Sequence, residues 1–220
     1  MNLKIKSLSH AFIIVLWFYV ASFTINVLIR IGCPSESSYI KIMEQHAHLV
    51  SCVIYSVIFI GIYIWDDQRA CFIDSFKSLS VRQIITFIGM GLGAYAVGIL
   101  ITNLLIDIFP SYHEISKSFN DQELLLRWIA MVVLPPIVEE YLFRFKIQGI
   151  LEKGFGKSFA ILGQAILFGM LHYYIIQKIY AMVLGILFGY IRDKKQSIQA
   201  SIWMHITVNF LGWLAGSFFS

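Results

Sequence analysis

Apolar residues run through this chain in blocks about as long as a bilayer is thick, and charged residues gather between the blocks. Runs near the roughly 20 residues that a helix needs to cross a hydrocarbon core fall at about 10–30, 46–65, 83–108, 124–149, 158–176, 179–191 and 197–219. The pattern predicts an all-α, polytopic transmembrane helical bundle of about seven spans, the sixth the shortest. Lys and Arg in the short loops set its orientation. Lys4, Lys6, Arg69, Lys77, Arg82, Lys146, Lys153, Lys157, Arg192, Lys194 and Lys195 fall on one side, and Arg30, Lys41, Lys117, Arg127 and Lys178 on the other. That excess puts the N-terminus in the cytoplasm and the C-terminus outside. Between the second and third runs, Trp65 to Gln83 mixes Asp66, Asp67, Arg69 and Lys77 with Phe72, Ile73 and Phe76, as an amphipathic surface helix or a plain loop would.

Composition narrows the class. At 220 residues, with 58% hydrophobic content and a mean hydropathy of +0.75, the chain has room for one membrane domain and is far from a soluble norm. The net charge of +4 does not imply nucleic acid, because the basic residues sit between apolar runs and form no stripe interleaved with polar aromatics. Cys33, Cys52 and Cys71 share no C-x-x-C spacing, so neither a zinc knuckle nor a disulfide framework is indicated. Lys4 and Lys6 before the run from Ala11 to Ile29 resemble a signal peptide. The run exceeds a usual signal core and no clear cleavage site follows, so it reads as a retained first span. The clusters Gly89-Met90-Gly91-Leu92-Gly93 and Gly185…Gly189 would permit close helix contact.

The chemistry lies where charge interrupts the fourth run, at Pro135-Pro136-Ile137-Val138-Glu139-Glu140-Tyr141-Leu142-Phe143-Arg144. A charged side chain at mid-helix costs roughly 2.5 to 3.5 kcal/mol on insertion scales, so these three need partners or a wet cavity. Glu140 and Arg144 are four residues apart with the acid first, the favoured order for an ion pair along one helix face. Glu139 is rotated from Glu140 by about 100° and faces elsewhere. Pro135-Pro136 removes two backbone N–H donors and loosens or kinks the helix where the charged segment begins. The fifth run carries Phe168-Gly169-Met170-Leu171-His172, and the seventh carries His205-Ile206-Thr207-Val208-Asn209, with His205 and Asn209 on one helix face.

Together these groups predict a functional cavity inside the bundle. Measured along each helix from its inner end, Glu139 lies about 15 Å deep, His205 about 12 Å and His172 about 21 Å. Singly, each has a plainer reading. His172 could bond a neighbouring helix, Glu140 and Arg144 could be a structural clasp, and Asn209 could be interhelical glue. His46 and His48, with only Glu44 nearby, read as interfacial. His10 and His113 fall at a boundary and in a loop, and the tryptophans include interfacial anchors.

Glu139-Glu140-x-x-x-Arg144, then Phe168-x-x-x-His172, then His205-x-x-x-Asn209, in that order on separate spans, resembles the CPBP intramembrane peptidases. That family includes the type II CAAX prenyl endopeptidases and the bacterial Abi or bacteriocin-immunity proteins. The resemblance covers about residues 124–212 and departs only peripherally, in the short sixth span and the seven-span count. It divides one integral membrane domain into N-terminal spans with an interfacial segment, 1–123, and a catalytic helical core, 124–220. It implies an endopeptidase working near the cytoplasmic membrane face. Glu139 would be the catalytic carboxylate, His172 would help it activate water, His205 and Asn209 would stabilise the oxyanion, and Glu140 and Arg144 would hold the site together. The implied substrate is a peptide or protein, lipidated or membrane-associated, met in a bacterial cell membrane amid bilayer lipid.

The residues suit that chemistry. Amide hydrolysis needs a base to deprotonate water and donors aimed at the tetrahedral oxygen. The same atoms leave a metal-dependent alternative open, since Glu139, His172 and His205 form a two-histidine, one-carboxylate set acceptable to catalytic zinc. The H-E-x-x-H signature is absent, which leans the reading towards a metal-free site. Two rivals stand beside the enzyme: a non-catalytic immunity or regulatory protein of the same fold, and a proton-coupled transporter. Against the transporter, the polar set is confined to three late spans.

Overall fold

A computed structural model describes residues 2–66, 69–74, 76, 79–109 and 128–218, and among them there is no strand. The first helix, α1, spans Leu3–Gly32, and α2 spans Glu36–Trp65. The short α3 covers Arg69–Asp74 and α4 covers Val81–Leu105. A composite helix, α5, then runs through π-helical Ile129–Val133, α-helical Leu134–Glu140, π-helical Tyr141–Ile147 and α-helical Gln148–Phe155. The chain closes with α6 (Lys157–Met170), α7 (Ile175–Lys195) and α8 (Ile198–Phe218). Lys117, Arg127, His113 and the start of the expected fourth span lie outside the described residues.

Local chemistry accounts for the ends. Ser35 and Ser80 cap α2 and α4, and Ser80 forms a full capping box with Gln83. Gly156, at φ +83, makes the corner between α5 and α6, a conformation that only glycine adopts at no cost. By length and hydropathy α1, α4 and α7 suffice to cross a membrane, and Leu49–Trp65 and α6 are shorter apolar helices. The protein is thus an integral membrane helical bundle.

Three boundaries differ from expectation. The fifth helix stops at Met170, so His172 sits in the turn before α7 and not within a span. The sixth helix, Ile175–Lys195, is not short. No charge, proline or glycine marks the turn at residues 171–174, Leu-His-Tyr-Tyr, and so the break is concealed. Arg192, Lys194 and Lys195 extend α7 beyond its apolar part, where cations suit the negative end of the helix dipole. Lys146, counted above with the loop charges, is inside α5 and pairs with buried Asp66 at the end of α2. Tyr141 also donates to that carboxylate, at 2.5 Å.

Burial centres on α5. One apolar cluster joins Ala11, Ile58, Val138, Tyr141, Leu142, Ile147 and Phe168, drawing α1, α2 and α6 around α5. Phe72 of α3 docks there too, its ring 4.5 Å from that of Tyr141, so the segment after α2 packs inward through its aromatic side. A second cluster, with Phe87, Leu184, Phe188, Ala200 and Met204, joins α4, α7 and α8. Of the Gly89, Gly91 and Gly93 set, only Gly91 meets a neighbour. A Cβ there would lie 2.6 Å from the Thr207 Cβ, so its absence lets α4 approach α8. Gly185 and Gly189 likewise accept Ala165 and Gln164 of α6 against α7.

Candidate active site

The two prolines decide the first contact. In an α-helix the Met131 carbonyl would accept from residue 135, and in a π-helix from residue 136. Both are proline and neither has an N–H. The orphaned carbonyl takes the Asn209 side chain instead, Nδ2 donating at 3.0 Å, which ties α8 to α5 one turn or two from the glutamates.

Behind the site lies a buried clasp. Glu140 and Arg144 are fully buried and 3.2 Å apart as an i, i+4 ion pair. The guanidinium lies 4.3 Å from the centre of the Phe168 ring and 5.4 Å from that of Phe188, so two aromatic faces take the place of water around it. Glu140 Oε1 also lies 2.8 Å from His205 Nδ1. Two buried charges of opposite sign therefore cancel, and the oxygen that faces Arg144, Oε1, is also the one that meets the imidazole.

Glu139 faces the other way. It is 7% exposed, its Oε1 accepts from Tyr55 Oη at 2.6 Å, and its Oε2 lies 3.6 Å from His205 Nε2. His205 is thus held between the carboxylates, one nitrogen to each. With Nδ1–H directed at Glu140, the neutral ring carries its lone pair on Nε2, and the doubly protonated ring donates from both nitrogens.

A cavity of about 630 Å³ is lined by Glu139, His172, His205 and Asn209, together with Tyr55 and Phe168. The structure therefore brings four of the sequence-derived residues to one space, while Glu140 and Arg144 stand behind its wall. His172 is placed differently from expectation. Beyond the end of α6, its Nδ1 lies 3.2 Å from the Phe168 carbonyl and its ring meets that of Phe168 edge to face. This explains its apparent extra depth: a turn, not a helix, carries it. His46 marks a kink in α2, at φ −126 and ψ 22, and it is exposed, as an interfacial histidine would be.

Among the described residues no three His, Cys, Asp or Glu side chains group to hold a metal ion. A carboxylate on His205 Nδ1 leaves Nε2 able to ligate, but the Glu139–His172–His205 set as placed does not form a three-ligand group, and no step below passes through a metal. Three contributors escaped the sequence reading: Tyr55, Asp66 and Phe188. Tyr55 and Phe188 lie in apolar runs where an aromatic ring is unremarkable, and Asp66 looked like a loop residue. Only the fold reveals their partners.

The fold and the cavity define a class: an integral membrane helical bundle with an acid and imidazoles facing a space inside it. Residues 121–211 match the family model described as type II CAAX prenyl endopeptidase Rce1-like. That segment is the one carrying the Glu-Glu-Arg, Phe-His and His-Asn motifs, and its match agrees with the resemblance to the CPBP/CAAX proteases. The match covers less than half of the chain and leaves α1 to α4 outside it. No curated protein and no solved structure matches the chain.

Proposed function

We propose that this protein is a multi-pass intramembrane endopeptidase of a bacterial cell membrane, hydrolysing a peptide bond near the cytoplasmic face. One observation carries the reading. Of two adjacent buried glutamates, Glu140 is clasped by Arg144 behind the wall, while Glu139 turns its carboxylate to a cavity that also holds His172, His205 and Asn209.

In this reading a water in the cavity gives a proton to Glu139 as its oxygen adds to the scissile carbonyl carbon. His172, from the turn after α6, orients that water. The carbonyl oxygen becomes the oxyanion, which accepts from the second Nδ2 hydrogen of Asn209 and from His205 Nε2 when the ring carries both protons. Collapse of the tetrahedral carbon breaks the C–N bond, and Glu139 returns its proton to the leaving amine. The products are a carboxylic acid and an amine, which become carboxylate and ammonium when the acid's proton passes to the amine, and Glu139 is regenerated. Residues 124–220 form the catalytic core, and the substrate is a peptide or protein presented at the membrane, with a lipidated cysteine as the favoured feature.

Comparative proteomics of membrane fractions from cells expressing wild-type or Glu139→Gln protein tests this. New peptide termini are expected only with wild type. Identical sets of termini, with both proteins correctly inserted, would leave the non-catalytic immunity or regulatory role in possession.

A further inference from the structure

The Tyr55 contact reaches the site from α2, a helix outside the family match. We infer that Tyr55 is a positioning residue that holds the Glu139 carboxylate in its working orientation, so that the N-terminal helices complete the site. The inference rests on the peptidase reading above.

Three observations carry it. The separation of 2.6 Å is that of a strong hydroxyl–carboxylate hydrogen bond, and it spans two elements 84 residues apart. The Tyr55 ring is itself braced: Phe18 of α1 meets it edge-on, with centroids 6.1 Å apart and planes at 76°. Finally, the bond distinguishes the two carboxylate oxygens. Oε1 is occupied by Tyr55, and Oε2 lies 3.6 Å from His205 Nε2. The terminal torsion of a glutamate is broad, so without a fixed donor the carboxylate samples many orientations. With Tyr55 in place, Oε2 is the oxygen left for water.

A buried carboxylate needs a donor whatever its role, so stability alone cannot distinguish positioning from packing. Kinetics can. With a quenched-fluorophore peptide carrying a prenylated cysteine near its C-terminus, Tyr55→Phe is expected to lower kcat by about 10- to 100-fold, the range for a hydrogen bond to a charged group. KM is expected to stay within about twofold, because the lost interaction acts on the reacting water and not on substrate binding. Tyr55→His, which keeps a donor, should recover part of the turnover. In a Glu139→Asp background, where the shortened acid no longer reaches the hydroxyl, Tyr55→Phe should add at most about twofold, the signature of one shared interaction.

An arm without substrate guards against misfolding. The carboxylate stretching band that Glu139→Gln removes from the infrared spectrum of detergent-purified protein should shift in Tyr55→Phe. An unshifted band, or wild-type kcat in Tyr55→Phe while Glu139→Gln is inactive, overturns the positioning role and leaves the peptidase reading standing. A wild-type protein that cuts no more than Glu139→Gln overturns both.

Discussion

Helices α1 and α5 divide the work of the molecule in opposite ways. Helix α1 is apolar through its middle, from Ala11 to Phe23, yet it leaves Phe12 64%, Phe23 71% and Ile31 75% exposed. Helix α5 carries two acids and an arginine within two turns and is the most enclosed segment, with Glu140 and Arg144 at 0%. In water the arrangement would be inverted. In a bilayer the surroundings are as apolar as a leucine, so apolar surface has nothing to gain from hiding, while a charge must go inside to find a partner. Burial here follows charge, and function follows burial.

The sharpest test of that contrast substitutes one side chain on each helix. Glu139→Gln should cut turnover by about 10²- to 10⁴-fold, the usual worth of a general base, with the helical circular dichroism unchanged. Phe23→Leu on α1 should alter neither. Equal turnover in the two variants would remove the reason for treating α5 as the working helix.

Next in size is the clasp. Arg144→Ala leaves Glu140 charged and buried, and should lower stability by about 3–5 kcal/mol, read from the thermal midpoint of detergent-solubilised protein. Replacing both partners, Glu140→Gln with Arg144→Met, should restore most of that stability, since no unpaired charge remains. Turnover should stay low because His205 loses the carboxylate on Nδ1. A double variant as active as wild type would show that Glu140 serves packing alone.

Two smaller effects probe the joints around α8. Asn209→Ala strips the Met131 carbonyl of its donor and should cost about 1–3 kcal/mol. Pro135→Ala should offset part of that loss by restoring an N–H four residues after Met131, a rescue that a merely bulky role for Asn209 would not allow. Gly91→Ala should cost about 1–3 kcal/mol by forcing Thr207 away, whereas Gly89→Ala, with nothing within 4 Å, should be neutral or gain the roughly 1 kcal/mol of better helix propensity. Similar midpoints for the two glycine variants would remove the close α4–α8 approach.

The most legible features were those that violate the apolar rule. Glu139, Glu140, Arg144, His205 and Asn209 stood out because a bilayer penalises them, and helical spacing was enough to separate the clasped glutamate from the free one. His172 was legible as a residue but not as a position: the turn that carries it holds no charge, proline or glycine to mark a break. Tyr55 was invisible, since one aromatic hydroxyl in an apolar helix announces no partner, and its 84-residue separation from Glu139 is a fact of packing.

The sequence by itself determined the solvent, the helical class, the Glu140–Arg144 pairing and the carbonyl orphaned by two prolines, because each follows from local spacing and from what lipid or backbone geometry forbids. Tertiary structure alone decided which oxygen of Glu139 meets Tyr55, which nitrogen of His205 meets Glu140, and that Asn209 answers Met131. Those choices depend on where distant helices cross and which way side chains rotate when they meet, and no local pattern encodes either.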